Sequence, residues 1–197
     1  MIDLYNEKLY QRIIVVIGVI IFLVFWFFND FTSSIFKIIT LIFSTSGLVI
    51  LLKKMLFEKY LFKNFPFLFN GWLTYIPYLE GEWNVEICSE YIDPEINEKI
   101  KPINKTANIK HDFNDIKISV DTDKSYSNSF VTSVQKDNAN NYYLYYIYDN
   151  DVNRDRQNNR SHKGAVKLRI KNKDGKIQLS GYYWTDRQTE GEIKFYP

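Results

Sequence analysis

The chain is poor in the residues that usually announce chemistry. It holds one cysteine, Cys88, and two scattered histidines, His111 and His162. A lone thiol cannot close an intramolecular bridge, and without a CxxC pair no zinc-type ligand set forms, so a reducing compartment is compatible and no metal is expected. A Gly-rich phosphate cradle, HExxH, GxSxG and a paired nucleophile and base are all missing. No catalytic residue is therefore assigned, and a non-enzyme is expected. The net charge is only +2. A duplex-binding protein would want a concentrated basic face, so no nucleic-acid polymer is expected as partner.

What is abundant is apolar length at one end. Ile13 to Phe28 is unbroken by any polar residue and is bracketed by Arg12 and Asp30. It falls slightly short of the ~20 residues a bilayer core needs, but Tyr10, Trp26 and Asn29 extend it into the headgroup layers. A second run, Ile38 to Leu52, reaches spanning length once Phe31 to Phe36 are added and Lys37 snorkels outward. Spans over about 11–29 and 33–52 are thus expected within a transmembrane hairpin of residues 1–54, joined by a tight turn around Asn29 to Ser34. A cleaved signal peptide is the alternative reading of the first run, yet no small-residue cleavage site follows it and a second span comes directly after. Lys8 and Arg12 precede the first span and Lys53 and Lys54 follow the second. By the positive-inside rule both termini, and the domain after the spans, face the cytoplasm of a multi-pass membrane protein.

Counting inward from the two cytoplasmic ends at ~1.5 Å per residue puts Gly18 and Gly47 at about the same depth. With Ser44, Thr45 and Ser46 before it, Gly47 lies in a small, hydroxyl-bearing patch of the kind that lets helices approach closely in lipid. Gly18, Ser44 and Gly47 are the expected membrane-packing residues, either within one hairpin or between hairpins. Residues 55–78 mix aromatics with lysines and read equally as an interfacial collar or as a linker packed on the domain that follows.

After Pro77 the pattern changes to alternation with a period of two. Eight strands are expected: Glu82–Cys88, Thr106–Phe113, Asp115–Thr122, Ser127–Gln135, Tyr142–Tyr148, Gly164–Lys171, Lys176–Thr185 and Glu192–Tyr196. Asn172-Lys173-Asp174-Gly175 reads as a hairpin loop with glycine supplying a positive φ. Tyr91–Lys105 and Asp149–Lys163 are the long polar loops. Eight short antiparallel strands with edges to hide favour an all-β, up-and-down barrel over a sandwich, occupying residues 79–197 and enclosing room for side chains or one small ligand. Gly81-x-Trp83 opens the first strand as in lipocalins, where glycine permits a bend and tryptophan plugs the barrel floor.

Tyrosine and planar cation are in excess in two places, NYYLYYIY at 141–148 and GYYWTDRQTEG at 181–191. Alternation sends Tyr143, Tyr145 and Ile147 to one side and Tyr142, Leu144, Tyr146 and Tyr148 to the other. The run from Trp184 to Thr189 gathers an aromatic, two hydroxyls and a guanidinium at a strand end, which suits stacking a base and bonding a phosphate. Expected ligand-binding residues are Tyr143, Tyr145, Tyr183, Trp184, Thr185, Arg187 and Thr189. A Tyr-rich core with hydroxyls at the rim, and a turn carrying an Arg–Glu surface pair, are the plainer readings of the same residues.

The hairpin of spans, the stretch Tyr75-Ile76-Pro77-Tyr78-Leu79-Glu80-Gly81-Glu82-Trp83 and the element from Gly181 to Glu192 together resemble the two-transmembrane, β-strand-rich effectors of bacterial CBASS antiphage systems. The likeness covers essentially the whole chain. It implies that the barrel is a receptor for a cyclic dinucleotide made by a neighbouring cGAS/DncV-like nucleotidyltransferase, with no other cofactor. It also implies that binding drives self-association of the spans and disruption of the inner membrane, killing the infected cell. Rival readings are a membrane-tethered, lipocalin-like barrel for an apolar ligand or lipid, and a tethered protein-interaction scaffold. Arg and Lys inside the pocket would favour the nucleotide, and a dry lining of Ile, Val and Leu would favour the lipid.

Overall fold

In the computed structural model, residues 4–28, 35–93, 97–122, 125–152, 161–173 and 175–197 are described. Two helices come first, α1 (Glu7–Phe28) and α2 (Ile35–Leu51). The expected turn at 29–34 lies outside the described residues. From α2 the chain continues as a π-helical stretch, Leu52–Leu61, and a last turn, α3 (Phe62–Asn64). Both Glu7–Phe28 and Ile35–Asn64 are long and apolar enough to cross a membrane, with mean hydropathies of 2.5 and 2.2. Their apolar side chains mostly point outward: Phe27, Phe28, Phe36 and Phe43 are among the most exposed residues of the chain. A water-soluble domain of this size does not leave such a surface uncovered.

The chain divides into two compact units, Tyr5–Tyr75 with Asp112–Asn114, and Ile76–His111 with Asp115–Pro197. The first has an aromatic core of its own. Tyr10 is buried, with ring centroids of Tyr5 at 5.2 Å and Phe113 at 5.0 Å, and Phe62 meets Phe113 edge-on at 5.3 Å. The Tyr10 hydroxyl donates to Glu58 (3.3 Å), which Lys53 approaches at 4.0 Å, so the lysine and carboxylate beyond α2 are tied to the start of α1. Residues 55–75 belong to this unit. Phe62, Phe69 and Leu73 are buried, whereas Tyr60, Phe67 and Trp72 are exposed.

The second unit is a closed antiparallel barrel. Its eight strands are β1 (Gly81–Ser89), β4 (Ile103–Asp112), β5 (Asp115–Thr122), β6 (Ser125–Lys136), β7 (Tyr142–Val152), β8 (His162–Lys173), β9 (Lys176–Thr185) and β10 (Glu190–Tyr196). Each pairs with its neighbour in the chain and β10 closes on β1. All eight expected strands are present. Two short strands, β2 (Ile92–Asp93) and β3 (Glu98–Lys99), form a separate pair inside the polar stretch read as a loop. The second polar stretch is also shorter than read, because Asp149 pairs with Lys163 and Asn150 with His162. Alternation failed there for a physical reason: the inward positions, Asn150 and His162, are themselves polar and satisfy each other.

The core is the inward half of each strand, including Val85, Ile109, Leu144, Leu168, Leu179 and Phe195, all at 1% exposure or less. Gly81 has φ 133, a conformation an L side chain rarely adopts, and the bend it permits turns Trp83 into the interior. The Trp83 indole donates to the Leu79 carbonyl (2.9 Å), and Ile76 and Leu79 complete the plug where the chain enters the barrel. Gly175 has φ 79 in the hairpin closed by the Lys173–Lys176 pair, as the turn chemistry requires; Asp174 lies outside the described residues.

Candidate functional site

The opposite end of the barrel is open. There the end of β7, the start of β8, the end of β9 and the start of β10 surround a cavity of about 260 Å³. Its floor is aliphatic, formed by Ile87, Ile118, Val166 and Ile193, and its walls carry Tyr146, Tyr148 and Tyr183. Its rim is polar, with Ser127, Asn150, His162, Thr185 and Thr189. Ser127 donates to Asn150 Oδ1 (2.9 Å), and Asn150 Nδ2 donates toward the His162 ring (3.2 Å to Nδ1). Across the mouth the Thr185 and Thr189 hydroxyls are 2.7 Å apart. The turn between them is fixed by backbone bonds, Thr185 N–H to Thr189 O (2.9 Å) and Gln188 N–H to Thr185 O (3.1 Å), with Gln188 at φ 60.

Electrostatically the cavity is close to neutral. Burial pushes the Tyr148 hydroxyl up to about 12, with nearby Tyr183 and Asp186 adding to the effect, and burial raises Tyr146 further. Both tyrosines are thus neutral donors at physiological pH. Among the described residues, no lysine or arginine lines the cavity. The cations lie just outside it: Arg187 on the exposed turn after β9, and Lys163, whose N–H is held by Asp186 (3.1 Å). Among the described residues, no group of three or more His, Cys, Asp or Glu is placed to hold a metal ion.

A second concavity, of about 440 Å³, runs along the outer wall over β7 to β10. It holds Tyr143, Tyr182 and four cations, Lys167, Arg169, Lys171 and Lys194, with Glu192. Three of these cations are engaged. Lys167 Nζ sits 4.8 Å from the Tyr143 ring centre and 5.6 Å from that of Tyr145, Arg169 bonds the Asn141 side chain, and Lys194 pairs with Glu192 (3.4 Å).

The structure therefore separates the residues singled out from sequence. Tyr183, Thr185 and Thr189 come together in the mouth. Arg187 lies on the same turn. Tyr143 and Tyr145 project from the outer wall, and Trp184, 45% exposed, also faces outward. The polar and aromatic mouth residues not singled out include Ser127, Tyr146, Tyr148, Asn150 and His162. The sequence held no mark of which side is inward, since Leu144 and Ile147 stand on opposite parities; burial of Leu144 at zero exposure marks the inward side of β7, and Tyr146, Tyr148 and Asn150 share its parity. In the helices, a side chain at Gly18 would make ordinary contact with Val49 (3.5 Å), whereas Ser44 and Gly47 are exposed and nothing lies within 4 Å of a side chain at Gly47.

Residues 74–196 match the family described as Cap15, cyclic dinucleotide receptor domain. The chain belongs to this family. Comparison with curated protein sequences gives no match. The matched span contains every strand of the barrel, so the open mouth and the outer groove both fall inside the receptor domain. A Cap15 domain is a receptor for a cyclic dinucleotide in CBASS defence, and the two apolar helices before it are consistent with membrane association.

Proposed function

We propose that the barrel mouth is where this receptor holds its cyclic dinucleotide. The carrying observation is a single open cavity that joins tyrosine walls to a rim of bonded hydroxyls, an amide and an imidazole. Stacking on tyrosine is worth about 1–3 kcal/mol per base and tolerates any base. Thr185, Thr189, Asn150 and His162 offer the phosphodiesters hydrogen bonds, and Arg187 and Lys163 supply positive charge at the rim. The source is a neighbouring cGAS/DncV-like nucleotidyltransferase, and occupancy leads hairpins to self-associate and breach the inner membrane. Self-association of the spans has a surface to use, since Ser44 and Gly47 are exposed on α2 and free of α1. Both termini and the barrel are cytoplasmic in this reading, where the nucleotide is made.

The aliphatic floor, with no lysine or arginine among the described residues that line the cavity, favours a second reading, an apolar ligand or lipid. Calorimetry on the full chain in detergent separates the two. Cyclic dinucleotides are expected to bind, His162→Ala and Thr185→Val to weaken them, and Arg169→Ala on the outer wall to leave them unchanged. Binding of fatty acids in place of nucleotides would establish the second reading. Topology is read by reporters fused after Pro197 that are active on one side of the membrane only. Assembly is read by ligand-dependent crosslinking and dye leakage in proteoliposomes, which Gly47→Leu is expected to abolish while insertion and binding persist.

A further inference from the structure

Two of the barrel's inward glycines lie beneath tyrosine rings, and both rings are walls of the mouth. Tyr148 on β7 is the cross-strand partner of Gly164 on β8. A β-carbon at Gly164 would stand 2.6 Å from Tyr148 Cε1 and closer still to Cζ and the hydroxyl. The three nearest neighbours of that position all belong to the ring. Tyr183 on β9 is likewise the partner of Gly191 on β10, where a β-carbon would stand 2.9 Å from Tyr183 Cε1. At Gly191 the backbone of Cys88 and Ser89 also crowds the position, so that glycine serves strand approach as well. At Gly164 the three closest atoms are all the ring's.

We propose that Gly164 is a seat that holds the Tyr148 ring flat against the inner wall, and that Tyr148 and Tyr183, each laid over a glycine, are two plates for the two bases of one cyclic dinucleotide. This rests on the mouth being the nucleotide site. A tyrosine on an ordinary strand stands off the sheet and would fill a cavity of about 260 Å³. Laid across a residue with no side chain, the ring gives its face to the cavity and keeps the volume open. Burial of Tyr148 along the wall also keeps its hydroxyl neutral, so no charge opposes the approach of an anionic ligand. The matching count decides the ligand class: two seated rings in one mouth suit a ligand with two stackable bases better than a mononucleotide, which would use one.

The test is a cycle of four full-length proteins in detergent: wild type, Gly164→Ala, Tyr148→Ala and the double variant. The probes are cyclic di-AMP, cyclic di-GMP and the mixed adenine–uracil cyclic dinucleotide, with AMP as the one-base control, and the tightest wild-type binder is carried through the series. Gly164→Ala is expected to lower the melting temperature and to weaken binding at least tenfold, because the methyl group forces the ring off the wall. In the Tyr148→Ala background the same alanine is expected to be neutral or stabilising, since no ring is left to displace. Additive losses of stability would overturn the seat, as would a double variant less stable than Tyr148→Ala alone. A non-additive cycle with binding unchanged within twofold in Gly164→Ala would overturn the plate. His162→Ala keeps the premise separate: if it weakens binding while Gly164→Ala does not, the mouth stands and this inference falls. If neither matters but Lys167→Ala with Arg169→Ala abolishes binding, the mouth reading falls first.

Discussion

The two ends of the barrel are built from the same strands and do opposite things. Where the chain enters, Trp83, Leu79 and Ile76 are buried together, and the polar groups there serve the fold: His111, 2% exposed, accepts the Leu79 N–H at Nδ1 (3.0 Å) and stacks on Tyr78. At the far end the inward positions turn from Val and Leu to Ser, Asn, His and Thr, and the polar groups bond one another around an open space. A barrel of eight strands has an interior just wide enough for side chains or one small ligand. The sequence of a single strand chooses between these. β7 runs Leu144, Tyr146, Tyr148, Asn150 on its inward side, from a sealed layer to a wet one. Closing one end with large apolar side chains supplies the stability that lets the other remain under-packed.

The contrast is broken most strongly at the plug. Trp83→Ala removes a buried indole and its hydrogen bond and is expected to cost about 3–5 kcal/mol. Chemical denaturation of the full chain measures this, and below the melting transition the affinity for cyclic dinucleotide should stay within about threefold of wild type. Acid attacks the same end. Burial holds His111 at about 4, against an ordinary 6.5, with Glu80 opposing. The unfolded chain therefore takes the proton first, so stability is whole above pH 6.5 and falls as pH drops from 6.5 to 4, by about 3 kcal/mol. His111→Asn, which keeps an acceptor for the Leu79 N–H, should flatten that slope in thermal melts across pH 4 to 7.

At the mouth the expected effects are on binding. Tyr183→Ala should weaken nucleotide affinity by about 1–3 kcal/mol, the worth of one stacked base, measured by calorimetry. Thr185→Val, which removes one hydroxyl of the pair with Thr189, should cost about 1 kcal/mol of affinity with little change in melting temperature. The smallest effect belongs to the outer wall. Lys167→Ala loses cation–π contacts with Tyr143 and Tyr145 on an exposed face, so stability should move by about 0.5 kcal/mol and nucleotide affinity not at all. A larger loss of affinity there than at Thr185 would reverse the assignment of inside and outside.

Much of this architecture was legible in the residues. Apolar runs of spanning length are set by composition alone, and a period of two over eight segments follows from the pleat, so two helices and eight strands could be counted without any tertiary information. The bend at Gly81 and the plug at Trp83 were equally local, because a positive φ and a large indole two residues later are properties of adjacent positions. Alternation also fixed that Tyr143 and Tyr145 oppose Tyr146 and Tyr148. Which pair faces the cavity depended on burial, and Leu144, at zero exposure, decided it. The true ends of β7 and β8 were hidden because their inward residues are polar, and a polar inward residue looks like loop until its partner is known. Only the pairing of β7 with β8 and of β9 with β10 brought Asn150 to His162 and laid Tyr148 over Gly164 and Tyr183 over Gly191. Each of those contacts is set by cross-strand register, and register is a relation between strands that no single stretch of sequence contains.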